Sequence, residues 1–277
     1  MRALSRSLRL SGAPVPVPWP MLSRYIRPRA QNMMAVLACP GVGKSFFALE
    51  WAMALKEPSL YVSLDTDLFT QAVRVISRMT RYTTEEVSEG YDTDEEGWVR
   101  KWEPYVESLG ESVRFVDRTG GTRAIAEMVS AETEYWGSPP PLTIIDNVGD
   151  LLDGPEAAQE YQRVFGELKR ITVEHHTFVV ALHHIVKKQL KFNKETDEQV
   201  DATTLPVHMS DGLYGGDRST HIVLGLWRPQ PERLRVAVLK NRMGKASPGG
   251  HVYVDLHADF TRSRLYDLDV ARLAGIA

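Results

Sequence analysis

Cysteine is nearly missing. The 277 residues hold one, Cys39, so no intrachain disulfide can form, and the composition suits a reducing, cytoplasmic setting. Long apolar runs are missing too. No run approaches the roughly 18–20 residues that a bilayer-crossing helix needs, so no membrane partner is expected. The first residues carry Arg2, Arg6 and Arg9 but no apolar core and no small-residue cleavage site, which argues against a secretory leader. An overall basic field is absent. The formal net charge is −3, and a nucleic-acid contact would have to come from a local channel set within acidic walls. No internal repeat recurs. His175, His176, His183 and His184 lack the cysteine partners of a structural zinc site. What remains is an ordinary globular balance, 43% apolar and 25% charged, long enough for a sizeable core.

The feature around which the chain is organised is a turn of small residues: Ala38, Cys39, Pro40, Gly41, Val42, Gly43, Lys44 and Ser45. The apolar run Met33–Leu37 leads into it, and a helical pattern leaves it. Strand, glycine turn ending in Gly-Lys-Ser, then helix is the context of a phosphate-binding loop. Gly41 and Gly43 free the backbone to aim successive N–H groups at one anion, and the helix N-terminus adds positive potential. Lys44 brings a full charge to the β- and γ-phosphates, and the Ser45 hydroxyl can ligate Mg²⁺. The first position is Ala38 rather than glycine, which relaxes the strict pattern by a methyl group.

Downstream, apolar runs alternate with helical patterns, as in βαβ units around a parallel sheet. Strands are expected at 35–39, 60–64, 113–116, 142–145 and 178–182. Helices are expected at 44–56, 68–81, 95–109, 122–135 and 157–174. Three closely spaced runs, at 221–227, 234–239 and 252–256, read as hairpin-linked strands completing the sheet. Residues 269–277 read as a short surface helix. The first 32 residues, with Pro14, Pro16, Pro18 and Pro20 around Trp19, read as a stiff arm preceding a domain at 33–277. Trp19 could dock on its own chain or on a neighbour.

Two strand ends carry carboxylates. Asp146 closes Leu142–Ile145, and ligands of open α/β sheets bind at the carboxyl ends of the strands. A carboxylate there can hold Mg²⁺ opposite Ser45. Asp65 follows the run 60–64 and can orient an attacking water. Asp67 competes for that role, since either acid could instead cap the helix beginning near Leu68.

Taken together, the phosphate loop, Tyr61-Val62-Ser63-Leu64-Asp65 and Leu142-Thr143-Ile144-Ile145-Asp146 resemble the RecA-like motor domain of DnaB-type replicative helicases. Ala181-Leu182-His183-His184-Ile185 looks like that family's γ-phosphate sensor strand, and Leu239-Lys240-Asn241-Arg242-Met243-Gly244 is similar to its late basic motif. The order holds from about residue 28 to 266. The resemblance implies a RecA-like P-loop fold, ATP and Mg²⁺ as ligands, and a homo-oligomeric ring, expected to be a hexamer, with ATP at subunit interfaces. It implies His184 as sensor, Asp65 as the water-orienting acid, and Lys240 and Arg242 acting in trans. Asp65 stands where the family has glutamate and His184 where it has glutamine, and the family's large N-terminal domain has no counterpart. A stand-alone chain of this size suggests a phage protein working in a host cytoplasm. Single-stranded DNA would pass through the channel against the loop after the sensor strand, where Lys187, Lys188, Lys191 and Lys194 surround Phe192. The expected function is a DNA-dependent helicase motor in replication or recombination. Rival readings are a recombination mediator or branched-DNA-binding, nuclease-associated ATPase, and a nucleotide-switch scaffold.

Overall fold

The computed structural model describes residues 12–110, 112–117, 120–153, 158–185, 201–212 and 218–275. Nine strands form one sheet: β1 (Met33–Ala38), β2 (Ser59–Ser63), β3 (Val113–Val116), β4 (Leu142–Asp146), β5 (Phe178–His184), β6 (Ile222–Gln230), β7 (Arg233–Asn241), β8 (Tyr253–Asp259) and β9 (Arg264–Asp267). Their order is β3-β2-β4-β5-β1-β6-β7-β8-β9. The pairs from β3 to β6 are parallel, and β6 to β9 run antiparallel. The mixed α/β class, mostly parallel with antiparallel strands near the C-terminus, is the one expected. β1, β2 and β4 are buried along their whole length, which is why each reads as a run rather than an alternation.

The helices are α1 (Pro20–Ser23), α2 (Lys44–Ala54), α3 (Leu68–Met79), α4 (Thr84–Ser88), α5 (Glu95–Gly110), α6 (Gly121–Trp136), α7 (Ala158–Glu174) and α8 (Leu268–Leu273). Crossover connections return each parallel strand to the same end of the sheet, so the tips of β1, β2, β4 and β5 point one way. β1 adjoins β5, while β2 lies outside β4. From β1 the chain leaves toward β2, and from the adjacent β5 it leaves the opposite way toward β6, and ligands gather at such a switch point.

Three of these elements escaped the sequence reading. α1 is a single turn within the arm, β9 is four residues long, and α4 is a single turn closed by a capping box between Thr83 and Glu86. From residue 12 onward the proline-rich segment packs on its own chain. Val15, Trp19, Leu22 and Ile26 are buried, and the Trp19 indole stacks on Phe47 with ring centroids 4.5 Å apart. Trp51 Nε1 donates to the Pro16 carbonyl at 2.8 Å. Of the two docking possibilities for Trp19, the one within the chain is realised.

Candidate nucleotide site

β1 ends at Ala38, and the backbone must then turn sharply into α2. Gly41 and Gly43 take φ of +75° and +113°, conformations open to glycine. Any Cβ on Gly43 would meet Phe260 Cε1 at 2.7 Å, so the loop is held closely from its outer side. Gly43 is the N-cap of α2, and its carbonyl accepts from Phe47 N at 3.0 Å. Lys44 is buried. Its ammonium donates to the carbonyls of Ala38 and Cys39, both at 3.4 Å, and to His184 Nδ1 at 2.9 Å. Burial lowers the Lys44 pKa to about 8, against the opposing pull of the Asp146 and Asp65 carboxylates.

β5 runs two residues beyond its expected end, and those residues are His183 and His184. Alternation along the strand sends them to opposite faces. His184 lies at the loop, and since its Nδ1 accepts from Lys44, its ring proton belongs on Nε2, 3.3 Å from Asp65 Oδ2. Lys44, His184 and Asp65 thus form a continuous chain across three strand tips. His183 turns into the core against Tyr161 and Phe165, and burial lowers its pKa to about 4.

The two acids stand in different settings. Asp67 is the N-cap of α3, its carboxylate accepting from Thr70 N and Thr70 Oγ1, both at 2.8 Å. Asp65 faces the loop. Asp146 is buried, and its Oδ2 accepts the Tyr61 hydroxyl at 2.7 Å. The Ser45 hydroxyl lies near the same phenol, so Tyr61 stands between it and the Asp146 carboxylate. A hydroxyl and a carboxylate oxygen are donors of the kind a hard cation such as Mg²⁺ takes.

Architecture and site can now be set beside known proteins. No protein-family model matches the sequence. Two curated relatives, each called Gene 65 protein, come from Mycobacterium phages L5 and D29. The L5 protein is 27% identical over 260 residues, 89% of this chain and 90% of its own length. The D29 protein is 27% identical over 250 residues, 86% of this chain and all of its own. Among solved structures, the ATPase domain of G40P superposes with a TM-score of 0.74 at 16% identity, covering 96% of this chain and 95% of that one. A DnaB-like replicative helicase, described with its interactions with primase, gives 0.73 at 15%, covering 96% and 67%. The chain has the RecA-like helicase ATPase fold.

Within this RecA-like fold, several site residues were invisible in the sequence. Tyr61 is one, since nothing in its strand distinguishes it from a core aromatic. Asp150 is another. It sits on the 3₁₀ turn Val148–Leu151 after β4, and partial burial, with Asp65 nearby, raises its pKa. On the outer side of the loop, the Arg228 guanidinium lies 4.4 Å over the Phe260 ring, which meets Phe46 edge-on at 5.5 Å. An arginine on β6 and an aromatic on the turn after β8 gave no local signal.

Lys240 and Arg242 lie elsewhere. β7 runs back along β6, pairing Ile222 with Asn241. His221 N donates to the Met33 carbonyl at 2.8 Å and Arg242 N to the His221 carbonyl at 3.0 Å. The basic pair is therefore beside the beginning of β1, roughly 20 Å of strand from its own phosphate loop. Lys187, Lys188, Lys191, Phe192 and Lys194 fall outside the described residues.

Proposed function

We propose that this chain is a Mg²⁺-dependent ATPase that works on DNA as a helicase-like ring. The observation that carries the reading is the convergence of Lys44, Ser45, Asp146, Asp65 and His184 on one glycine turn. The resemblance of the fold to DnaB-like helicase domains supports it. Gly41, Val42, Gly43 and the start of α2 would cradle the phosphates with backbone N–H groups. Lys44 would leave His184 Nδ1 for the β- and γ-phosphates, and Ser45 and Asp146 would hold Mg²⁺. When bound, that ion neutralises phosphate charge and fixes the phosphate geometry. Asp65 would orient the attacking water, and His184, relieved of Lys44, would turn a ring N–H toward the γ-phosphate. Phe260 with Arg228 offers a flat, cation-backed face beside the loop for a nucleobase.

Because Lys240 and Arg242 stand at the other end of β1, they would serve the site of an adjoining subunit. A hexamer and single-stranded DNA on Lys187, Lys188, Lys191, Phe192 and Lys194 complete the proposal. Replication is the setting we favour, with recombination or branched-DNA binding as the alternative. One observation favours a second reading. Asp65 is a short, exposed acid already engaged by His184, as would suit a switch that binds ATP and hydrolyses it poorly. Steady-state phosphate release decides. The motor requires turnover that single-stranded DNA accelerates and that Lys44→Ala abolishes. Tight ATP binding with release no faster than in Lys44→Ala would establish the switch.

A further inference from the structure

At the beginning of β1 lies a group of cations larger than the Lys240–Arg242 pair. Lys169, on α7, donates its ammonium to the Gln31 carbonyl at 2.7 Å and stands 3.5 Å from His221 Nε2. His221 Nδ1 accepts from Met33 N at 3.2 Å. The ring proton of neutral His221 therefore sits on Nε2, pointing toward Lys169. Two donors face each other there with no acceptor between them. Arg242, close by, donates to the Arg218 carbonyl at 2.6 Å and remains exposed.

The charged neighbours that weigh on Lys169 and His221 are cations. Burial, then Arg242, lowers Lys169 to about 8. Burial, then Lys169, Arg242 and Lys240, lowers His221 to about 4. Unlike-charge partners would have done the reverse. An oxygen bearing negative charge, set between Lys169 Nζ and His221 Nε2, would accept from both and relieve the repulsion with Arg242.

We propose that Lys169 and His221 join Lys240 and Arg242 in one binding site for a phosphoryl group. The site rests on the reading that the basic pair acts across a subunit boundary. Its ligand would be the terminal phosphate of the adjoining subunit's nucleotide, with free inorganic phosphate the other source of the same chemistry. Lys169 and His221 would touch the phosphoryl oxygen themselves. They also grip the chain where it enters β1, whose far end is the phosphate loop.

The test is nuclear magnetic resonance of histidine side chains in the full chain, titrated with inorganic phosphate against chloride at matched ionic strength. His221→Asn assigns the His221 signal. Phosphate should move that ring signal and raise its titration midpoint above about 4. Lys169→Met should weaken the response at least about tenfold, the worth of one charge-assisted contact, and Lys169→Arg should retain it. Thr172 Oγ1 also donates to the Gln31 carbonyl, so removing the ammonium leaves that group satisfied. A His221 ring indifferent to phosphate, or equally responsive in Lys169→Met, overturns the site. A non-hydrolysable ATP analogue then separates the sources. A shift in the wild-type assembly that vanishes in Lys44→Ala, while inorganic phosphate still acts on that variant, assigns the neighbour's nucleotide. A response to inorganic phosphate alone upholds the site and removes the cross-boundary reading.

Discussion

Asp65 and Asp67 stand two residues apart in unlike settings. Asp67 caps a helix, so Asp67→Ala should cost about 1 kcal/mol of stability by denaturant titration and leave phosphate release intact. Asp65→Asn should keep ATP binding and lower release by about 10²-fold or more. A pH effect belongs to His183. Its folded pKa of about 4 lies below the unfolded value near 6.5, so the unfolded chain binds the extra proton between those limits. Stability should be constant above about pH 6.5 and fall as pH drops toward 4, by up to about 3 kcal/mol from this group. Melting scans at pH 7 and 5 check it, with His183→Leu expected to shrink the difference to the share that His221, also lowered to about 4, contributes. At this scale the sequence was partly legible. Lys44, Ser45 and Asp146 announce themselves by local context. Tyr61, Asp150, Arg228 and Phe260 do not, because only the folded sheet brings them to the loop.

At the scale of elements, α2, α3 and the β8–β9 turn are locked by polar groups that no periodicity displays. Glu50, buried on α2, accepts two hydrogen bonds from Arg78 on α3, at 2.5 and 2.8 Å. Arg264, on β9, donates to the carbonyls of Arg78 and Thr80. Arg78→Met should strand the Glu50 carboxylate and cost about 3–5 kcal/mol, read as a fall in melting temperature. The double variant with Glu50→Gln should recover part of the loss. The parallel strands were plain in the sequence because each is buried and continuous. β9 was not, because Arg264-Leu265-Tyr266-Asp267 shows too few alternations to mark a strand. The path of Trp19 was left open because prolines fix a stiff backbone without saying which surface receives it.

At the scale of the molecule, the two halves of the proposed catalytic apparatus sit at opposite ends of one strand. Lys44→Ala and Arg242→Ala should each be inactive alone. Mixed in equal amounts, they should regain up to about a quarter of wild-type release, the chance that intact halves meet in the right order. No regain would place all catalysis within one subunit.

With the basic pair serving a neighbour, as proposed, that separation along β1 would make each molecule directional, with a socket at one end and a plug at the other. A contact between unlike surfaces cannot be completed by two copies. It must propagate until the angle between neighbours closes the circuit, or run on as a filament. One plugless copy would then act as a terminator, so trace amounts of Arg242→Ala should poison wild-type assemblies out of proportion to their share.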